Sequence, residues 1–539
     1  MSAREQRLRR KLQARHLEMI AIGGAIGTGL LLRSGTAIAS SGPVGALLCF
    51  AIVGLQVYGV SAGIGEMATL LPVDGGFSQF PSRFVHPSLG FATGWLYFFT
   101  WVLTISAEMA GIAGLMSFWV STTTVQPWIW SLLYLFPFAI LNLFPVSGFA
   151  EVEFVLCILK IVAIVVFLGI GTLVWFGVND SHRPLWFSNW APAMKGDNSV
   201  DLFLRIAKNF TTAFFAYGGT ELVGLTAGEA SNPRKSVPRA INGTFIRILV
   251  FYLGSLLLVG LILPPDSDFL LALAVTKSPF VFAFKAVGIL PAADIMNAII
   301  IIAAVSAANS SIYACGRTLK RLADEGSAHR IFSRVSKGGV PVNAVLLCVF
   351  VSLCSIGIAY AAGANGSQRV FDWLAGFISY GVMIAWMVMS YTHIRFRNGY
   401  LAQGRKEADL PYIAPYFPYV DYVSLYIGSV VTICWVFSSL YTNGVAAGDF
   451  FTLQWFMANS WLYCGVPLSF GLLLGHGLIY HRHAIGETGV WWSLVPYEEM
   501  DFETGRVKET EIELEEIEST LKRPQGTQEW ARRILYKLF

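Results

Sequence analysis

The hydrophobic pattern of the chain is a series of long apolar stretches separated by short polar ones. A helix needs ~20 apolar residues to cross the hydrocarbon core of a bilayer, and such stretches recur from Leu17 almost to Tyr480. The pattern therefore predicts an all-α polytopic membrane protein with about twelve transmembrane helices. These are predicted at residues 17–38, 44–71, 88–120, 127–145, 151–177, 205–228, 239–264, 290–316, 341–361, 371–396, 421–442 and 460–480.

The composition agrees with this pattern. Of the 539 residues, 55% are hydrophobic and only 13% are charged, whereas soluble chains carry about 25% charged residues. The deficit extends along the whole chain, so the lipid bilayer is the expected partner of most of its surface. The formal net charge is only +4, which gives no reason to expect a nucleic-acid partner.

Lysine and arginine are distributed unevenly between the predicted loops. They are concentrated at 234–239, 317–337 and 395–406, whereas 121–126 and 443–459 contain neither. Cytoplasmic loops carry the excess of positive charge in membrane proteins. The pattern and the even number of spans place both termini in the cytoplasm.

Two of the predicted spans are interrupted by glycine. The first contains Gly-Gly-Ala-Ile-Gly-Thr-Gly at 23–29, and the sixth contains Tyr-Gly-Gly-Thr-Glu at 217–221. Each glycine weakens a helix by about 1 kcal/mol relative to alanine, so such clusters favour either unwinding or tight packing through small residues. Within a membrane, unwound backbone occurs only where it lines a cavity or is buried in protein.

The spacing of the two interruptions favours unwinding, because they lie five spans apart. Paired breaks in corresponding helices are typical of inverted-repeat transporters, whose binding site lies at the midplane. Because a repeat of five spans is odd, the two halves cross the membrane in opposite directions. The predicted division is a cytoplasmic N-terminal tail, two inverted five-helix repeats, two accessory helices and a solvated C-terminal tail, at 1–16, 17–177, 205–396, 421–480 and 481–539.

Among the ionisable residues inside the apolar spans, three stand out by their position, namely Glu108, Lys160 and Glu221. Such residues cost about 2.5–3.5 kcal/mol each to insert. They are therefore expected either to form ion pairs or hydrogen bonds with freed backbone groups, or to handle protons and contact a substrate.

A broken helix exposes N–H groups at the start of one half and C=O groups at the end of the other. The N–H end favours a carboxylate and the C=O end favours an ammonium group. Two crossed breaks are thus suited to a zwitterion. The sequence contains no H-E-x-x-H or P-loop motif, and its G-x-S-x-G match at 59–63 lies inside a predicted transmembrane span rather than at a strand-to-helix turn, so we expect neither an enzyme nor an ATP-driven pump. No cofactor is expected either.

Several runs resemble fungal amino acid permeases of the amino acid–polyamine–organocation superfamily. They are RHLEMIAIGGAIGTGL at 15–30, YGGTELVGLTAGEASNPRKSVPRA at 217–240, SAANSSIYACGR at 306–317, KGGVP at 337–341 and DLPY at 409–412. The resemblance covers roughly 15–500. It implies a LeuT-like fold of two inverted five-helix repeats plus two helices, and import of amino acids across the plasma membrane by proton symport, with the proton gradient as energy source.

The resemblance also implies roles for individual residues. The substrate carboxylate would be bound at Gly27, Thr28 and Gly29. Its ammonium group would be bound by carbonyls around Phe215, Ala216 and Gly218, and its side chain would face Thr104 and Ile378. Proton coupling is assigned to Lys160, Glu108 and Glu221.

The chain departs from the family pattern at two places. Arg33 stands where the family often has small residues, and we expect it to alter the outer vestibule. Residues 374–379 are apolar where carriers of basic amino acids are polar, which argues against lysine or arginine as the main substrate. An amino acid sensor with little transport is the alternative function, and the short N-terminal tail argues against it. As the family implies for turnover, ubiquitination machinery is a further expected partner at Lys11, Lys508 and Lys522.

Overall fold

The chain is described by a computed structural model, in which helices α1 to α17 follow one another. The structure describes residues 14–506 apart from 74, 179–181, 231, 265–266, 268–269, 271–277, 287–289, 337, 362–365, 442–459, 461–463 and 480–492. The ubiquitin-acceptor lysines predicted in the tails therefore lie outside the described residues. The helices are α1 (Ala14–Ala25), α2 (Thr28–Leu31), α3 (Arg33–Leu70), α4 (Gly76–Phe84), α5 (Pro87–Met116), α6 (Pro127–Leu141), α7 (Val146–Trp175), α8 (Ser199–Tyr217), α9 (Leu222–Thr226), α10 (Pro233–Ile246), α11 (Ser255–Ile262), α12 (Pro279–Ala286), α13 (Leu290–Asp324), α14 (Val342–Ala361), α15 (Gly366–Ala402), α16 (Tyr419–Leu440) and α17 (Cys464–Ile479).

These helices account for the twelve predicted spans. Within the described part of the chain, seven helical segments are long and apolar enough to cross a membrane, and three shorter helices are also apolar. The first and sixth spans make up the rest, and each is divided between two or more helices. The prediction of a twelve-span helical membrane protein is confirmed.

The first break separates α1 from α2 at Ile26 and Gly27. Gly27 has extended backbone angles (φ −131°, ψ −152°), so the helical hydrogen-bond ladder of α1 ends with the bond from the Ile26 N–H to the Ile22 carbonyl. After the break, α2 leads almost directly into α3. A bend at Gly42 and Pro43 then separates the first predicted span from the second, because Gly42 adopts φ +80° and proline lacks an N–H donor.

The second break separates α8 from α9, and it touches the first. Gly219 lies in the left-handed region with φ +105°. A Cβ atom at this position would stand 2.4 Å from the carbonyl oxygen of Gly24. Only glycine allows both the backbone conformation and this close approach. The two breaks therefore face each other in the middle of the helix bundle.

The seventh span contains a π-helical segment, Arg247–Gly254, between α10 and α11. Such wide turns add a residue to the helix and are frequent at functional sites. Here the segment lies beside both breaks and directs the Tyr252 side chain between them.

Residues 493–506, which we call the C-terminal strap, pack against α4 and the end of α15. Phe502 is buried, with its ring 5.3 Å from that of Phe84 and 5.3 Å from that of Tyr400. The Gln403 amide donates to the carbonyls of Tyr497 and Met500 at 2.8 Å. This part of the tail departs from the expectation of a solvated segment, because its aromatic residue completes an apolar cluster on the helices.

Candidate functional site

A small cavity lies between the two breaks, and it brings together most of the predicted site residues. The predicted residues that line it are Gly27, Gly29, Thr104, Glu108, Phe215, Gly218 and Ile378. Gly24, Ala25, Thr100, Trp101, Gly219 and Val382 complete the lining. The other predicted residues do not line this cavity and are described below; they are Thr28, Ala216, Lys160 and Glu221.

Glu108 of α5 binds the start of α2. Its carboxylate accepts a hydrogen bond from the Thr28 backbone N–H at 3.2 Å and another from the Thr28 hydroxyl at 3.1 Å. Both side chains are buried. Two of the donors that the resemblance assigns to a substrate carboxylate, both on Thr28, are thus engaged by a carboxylate of the protein itself. The position accommodates a carboxylate and supplies donors to it.

Lys160 of α7 binds the end of α1. Its Nζ atom donates to the carbonyl oxygen of Gly23 at 2.6 Å, and its side chain is buried. The last carbonyls of a helix have no partner within it, and they attract positive charge. Lys160 therefore caps the first half of the broken span from the neighbouring helix.

Glu221 closes the second break from within. Its carboxylate accepts from the Gly219 N–H at 3.0 Å and from the Tyr97 hydroxyl at 3.4 Å. All three charged residues predicted from the sequence consequently hydrogen-bond backbone groups that the breaks release. Glu221 thus has the hydrogen bond to a freed backbone group that was one of its two expected roles. Glu108 has such a bond as well, and it also lines the cavity.

Glu153 is a buried carboxylate that the sequence reasoning missed. It lies on α7 seven residues before Lys160, which places both side chains on one face of the helix. Ser306 and Asn309 of α13 donate to it. A Cβ atom on Gly23 would come within 2.0 Å of its Oε1 atom. The signal available in the sequence was this spacing of two charged residues inside one apolar span.

Tyr252 was also missed, because one tyrosine in an apolar span carries no signal of its own. Its hydroxyl lies 3.0 Å from the carbonyl oxygen of Ala25 and 3.1 Å from that of Ala216. These carbonyls belong to the last turns of α1 and α8. Ala216, which the resemblance assigned to the substrate ammonium, therefore has a hydrogen-bond donor of the protein on its carbonyl.

Ion pairs lie beyond the cavity on two opposite sides. On one side the Arg33 guanidinium binds Asp372 at 2.6 Å and lies over the rings of Phe371 and Phe215, at 5.1 and 5.9 Å from their centres. Phe215 also lines the cavity. Arg33 therefore covers the cavity on the side from which α8 approaches the second break.

On the other side, beyond α9, Glu229 binds the Arg317 guanidinium at 3.0 Å and the Tyr313 hydroxyl at 2.8 Å. Arg317 lies 3.8 Å above the Tyr313 ring. All three side chains are buried. An arginine and a carboxylate thus pair on either side of the two broken helices, and the first pair covers the cavity through the contact of Arg33 with Phe215. Among the described residues, no group of three histidine, cysteine, aspartate or glutamate side chains is arranged to hold a metal ion.

The chain is similar in sequence to amino acid permeases from bacteria and yeast. The sequence model of a family described as "Amino acid permease" matches residues 16–484. The chain is 36% identical to the lysine-specific permease LysP of Escherichia coli (strain K12) over 485 residues, which are 89% of this chain and 95% of the relative. It is 36% identical to the basic amino-acid permease of Saccharomyces cerevisiae over 449 residues, 80% of this chain and 76% of the relative. The general amino-acid permease GAP1 of the same yeast is 33% identical over 512 residues, 94% of this chain and 82% of the relative.

Proposed function

Because the chain belongs to the amino acid permease family, we propose that it imports amino acids by proton symport, with alternating access to the cavity between its two broken helices. The observation that carries this proposal is the engagement of both Thr28 donors by the Glu108 carboxylate beside that cavity. The proton gradient is the energy source, and neither a metal ion nor an organic cofactor takes part.

The substrate carboxylate is assigned to the N–H groups at the start of α2, around Gly27, Thr28 and Gly29. Helix starts attract anions, since their first N–H groups have no partner within the helix. The Glu108 carboxylate already accepts from two of these donors, the N–H and the hydroxyl of Thr28. The substrate must therefore share this position with Glu108 or displace it.

That competition supports coupling to protons. Two ionised carboxylates within hydrogen-bond distance of the same donors repel each other, and the repulsion is relieved when one of them takes up a proton. A protonated Glu108 also becomes a donor to the substrate carboxylate. Substrate binding and proton uptake are thus linked at one place, with Lys160 as the cationic group at the adjoining helix end.

The substrate ammonium is assigned to the carbonyls at the end of α8. Phe215 and Gly218 line the cavity, and the negative end of the helix dipole favours a cation there. The carbonyl of Ala216 is less suited than the resemblance implies, because Tyr252 already donates to it. Thr104 and Ile378 then face the substrate side chain.

Two observations about the substrate side chain point in different directions. The relatives are described as carriers of lysine, of basic amino acids and of amino acids in general, whereas the apolar stretch at 374–379 argues against a basic side chain. We assign the protein to the plasma membrane with both termini in the cytoplasm, and ubiquitination of the tails stays a prediction.

Uptake of radiolabelled amino acids into a transport-deficient yeast strain tests the proposal. We expect at least one of the twenty amino acids to accumulate, to a level that rises as the external pH falls and collapses with a protonophore. Accumulation that ignores both treatments contradicts proton symport. Binding without uptake, from protein shown to be at the plasma membrane, favours the sensor instead.

A further inference from the structure

The hydroxyl of Tyr252 lies between the two broken helices and contacts both. It is 3.0 Å from the Ala25 carbonyl of α1 and 3.1 Å from the Ala216 carbonyl of α8. The side chain is buried and belongs to the π-helical turn of the seventh span. One side chain on a third helix thus holds the adjoining ends of both broken spans.

The chemistry of this contact is unusual, because a hydroxyl has only one proton to donate. The two carbonyls belong to helix ends that both carry partial negative charge, so they repel each other when brought together. A proton placed between them offsets that repulsion. When either helix end moves away, the proton can stay with the other, and the hydroxyl keeps a partner throughout.

The neighbouring Tyr217 supplies an internal comparison. Its ring stacks on that of Tyr252 with centres 4.2 Å apart, and it is equally buried. Among the described residues, however, the Tyr217 hydroxyl has no hydrogen-bond partner. The two rings fill space in the same way, but only the Tyr252 hydroxyl joins the breaks.

We propose that Tyr252 is a positioning residue for transport, whose hydroxyl acts as a latch that fixes the end of α1 against the end of α8 and releases one of them during turnover. The inference deepens the proposed transport function. The contact should affect substrate affinity, because it holds the cavity residues Ala25, Gly27 and Phe215 at fixed distances from one another.

Hydrogen–deuterium exchange on the full chain in nanodiscs, without added amino acid, tests the latch directly. Tyr252→Phe removes the hydroxyl and keeps the ring, and Tyr217→Phe is the matched control. We expect Tyr252→Phe to speed amide exchange about fivefold both at 22–29 and at 215–221, as for the loss of one buried hydrogen bond. Tyr217→Phe should leave both segments unchanged. Unchanged exchange in Tyr252→Phe, or a change in one segment only, overturns the proposal.

Uptake kinetics give the functional measurement, with L-lysine, L-histidine, L-leucine and L-glutamate as probes. Tyr252→Phe should raise KM about fivefold while Vmax per surface molecule is kept. A role in folding alone would lower Vmax with KM unchanged, and that result also overturns the latch. If the wild-type chain transports none of the twenty amino acids, the proposed function fails, whereas the exchange experiment still decides the latch.

Discussion

Lys160 places its amino group inside an apolar span, and the structure shows it with a backbone carbonyl as its hydrogen-bond acceptor. Glu153, on the same face of α7, lies against the same residue, Gly23. The end of α1 is therefore fixed by an amino group on its carbonyl and a carboxylate beside its Cα atom. Removing either group leaves a buried polar atom without its partner, at a cost of about 1–3 kcal/mol.

We expect Lys160→Ala to abolish concentrative uptake, because the end of α1 loses its cap and the chain loses the group to which proton coupling is assigned in the proposed function. The internal amino acid concentration should not exceed the external one at any external pH. Accumulation measured at several pH values checks this result.

Lys208→Ala is the control, since Lys208 is an exposed lysine on α8, and its accumulation should match that of the wild type. pH-dependent accumulation that persists unchanged in Lys160→Ala removes Lys160 from the mechanism.

At the scale of elements, the close approach of the broken helices depends on missing side chains. A Cβ atom on Gly29 would lie 2.5 Å from the Cα atom of Ala216. This neighbour is backbone, which cannot rotate away as a side chain can. The contact between α2 and α8 therefore tolerates no methyl group at this position.

Gly29→Ala should push α2 away from α8 and reduce uptake at least about fivefold, because overpacking of this kind costs about 1–3 kcal/mol. The matched control is Gly169→Ala in α7, where a Cβ atom would meet nothing within 4 Å. Uptake normalised to surface protein measures both variants. A Gly29→Ala variant with wild-type KM and Vmax would show that α2 and α8 separate freely.

The two breaks were predictable because glycine clusters are local features of the sequence. Their partners were not, since those depend on which helices pack together. The sequence places Glu108 and Lys160 inside spans, but only the packing of α5 and α7 on α1 and α2 brings them to Thr28 and Gly23. Tyr252 could not be predicted for the same reason, whereas the seven-residue spacing from Lys160 was a sequence signal for Glu153.

At the scale of the whole molecule, the C-terminal strap ties the end of the chain to the transmembrane helices. Arg395 of α15 donates to the Val495 carbonyl, and the Val495 N–H donates to the Val85 carbonyl. Sequence alone could not reveal this contact, because the strap carries many polar residues and lies outside the apolar spans. A shift of α4 against α15 must therefore strain or release the strap.

Phe502→Ala should release the strap, since deleting a buried phenylalanine side chain costs about 3–5 kcal/mol. We expect faster amide exchange throughout 493–506 and a lower thermal unfolding temperature of the full chain. Glu498→Ala is the control, because Glu498 is exposed in the same segment. If strap exchange is the same in both variants, the aromatic cluster does not hold the strap.

The ion pairs on either side of the two broken helices are not equivalent. Asp372, which pairs with Arg33, is 48% exposed, whereas Arg317 and Glu229 are only 4% and 2% exposed. Water can solvate the first pair as it separates, but separating the second strands two desolvated charges. The pair of Arg33 and Asp372 therefore separates at a lower electrostatic cost than the pair of Arg317 and Glu229. For the transport proposed above, we expect the Arg33 end to open more readily, and substrate binding to supply the free energy that separates Arg317 from Glu229.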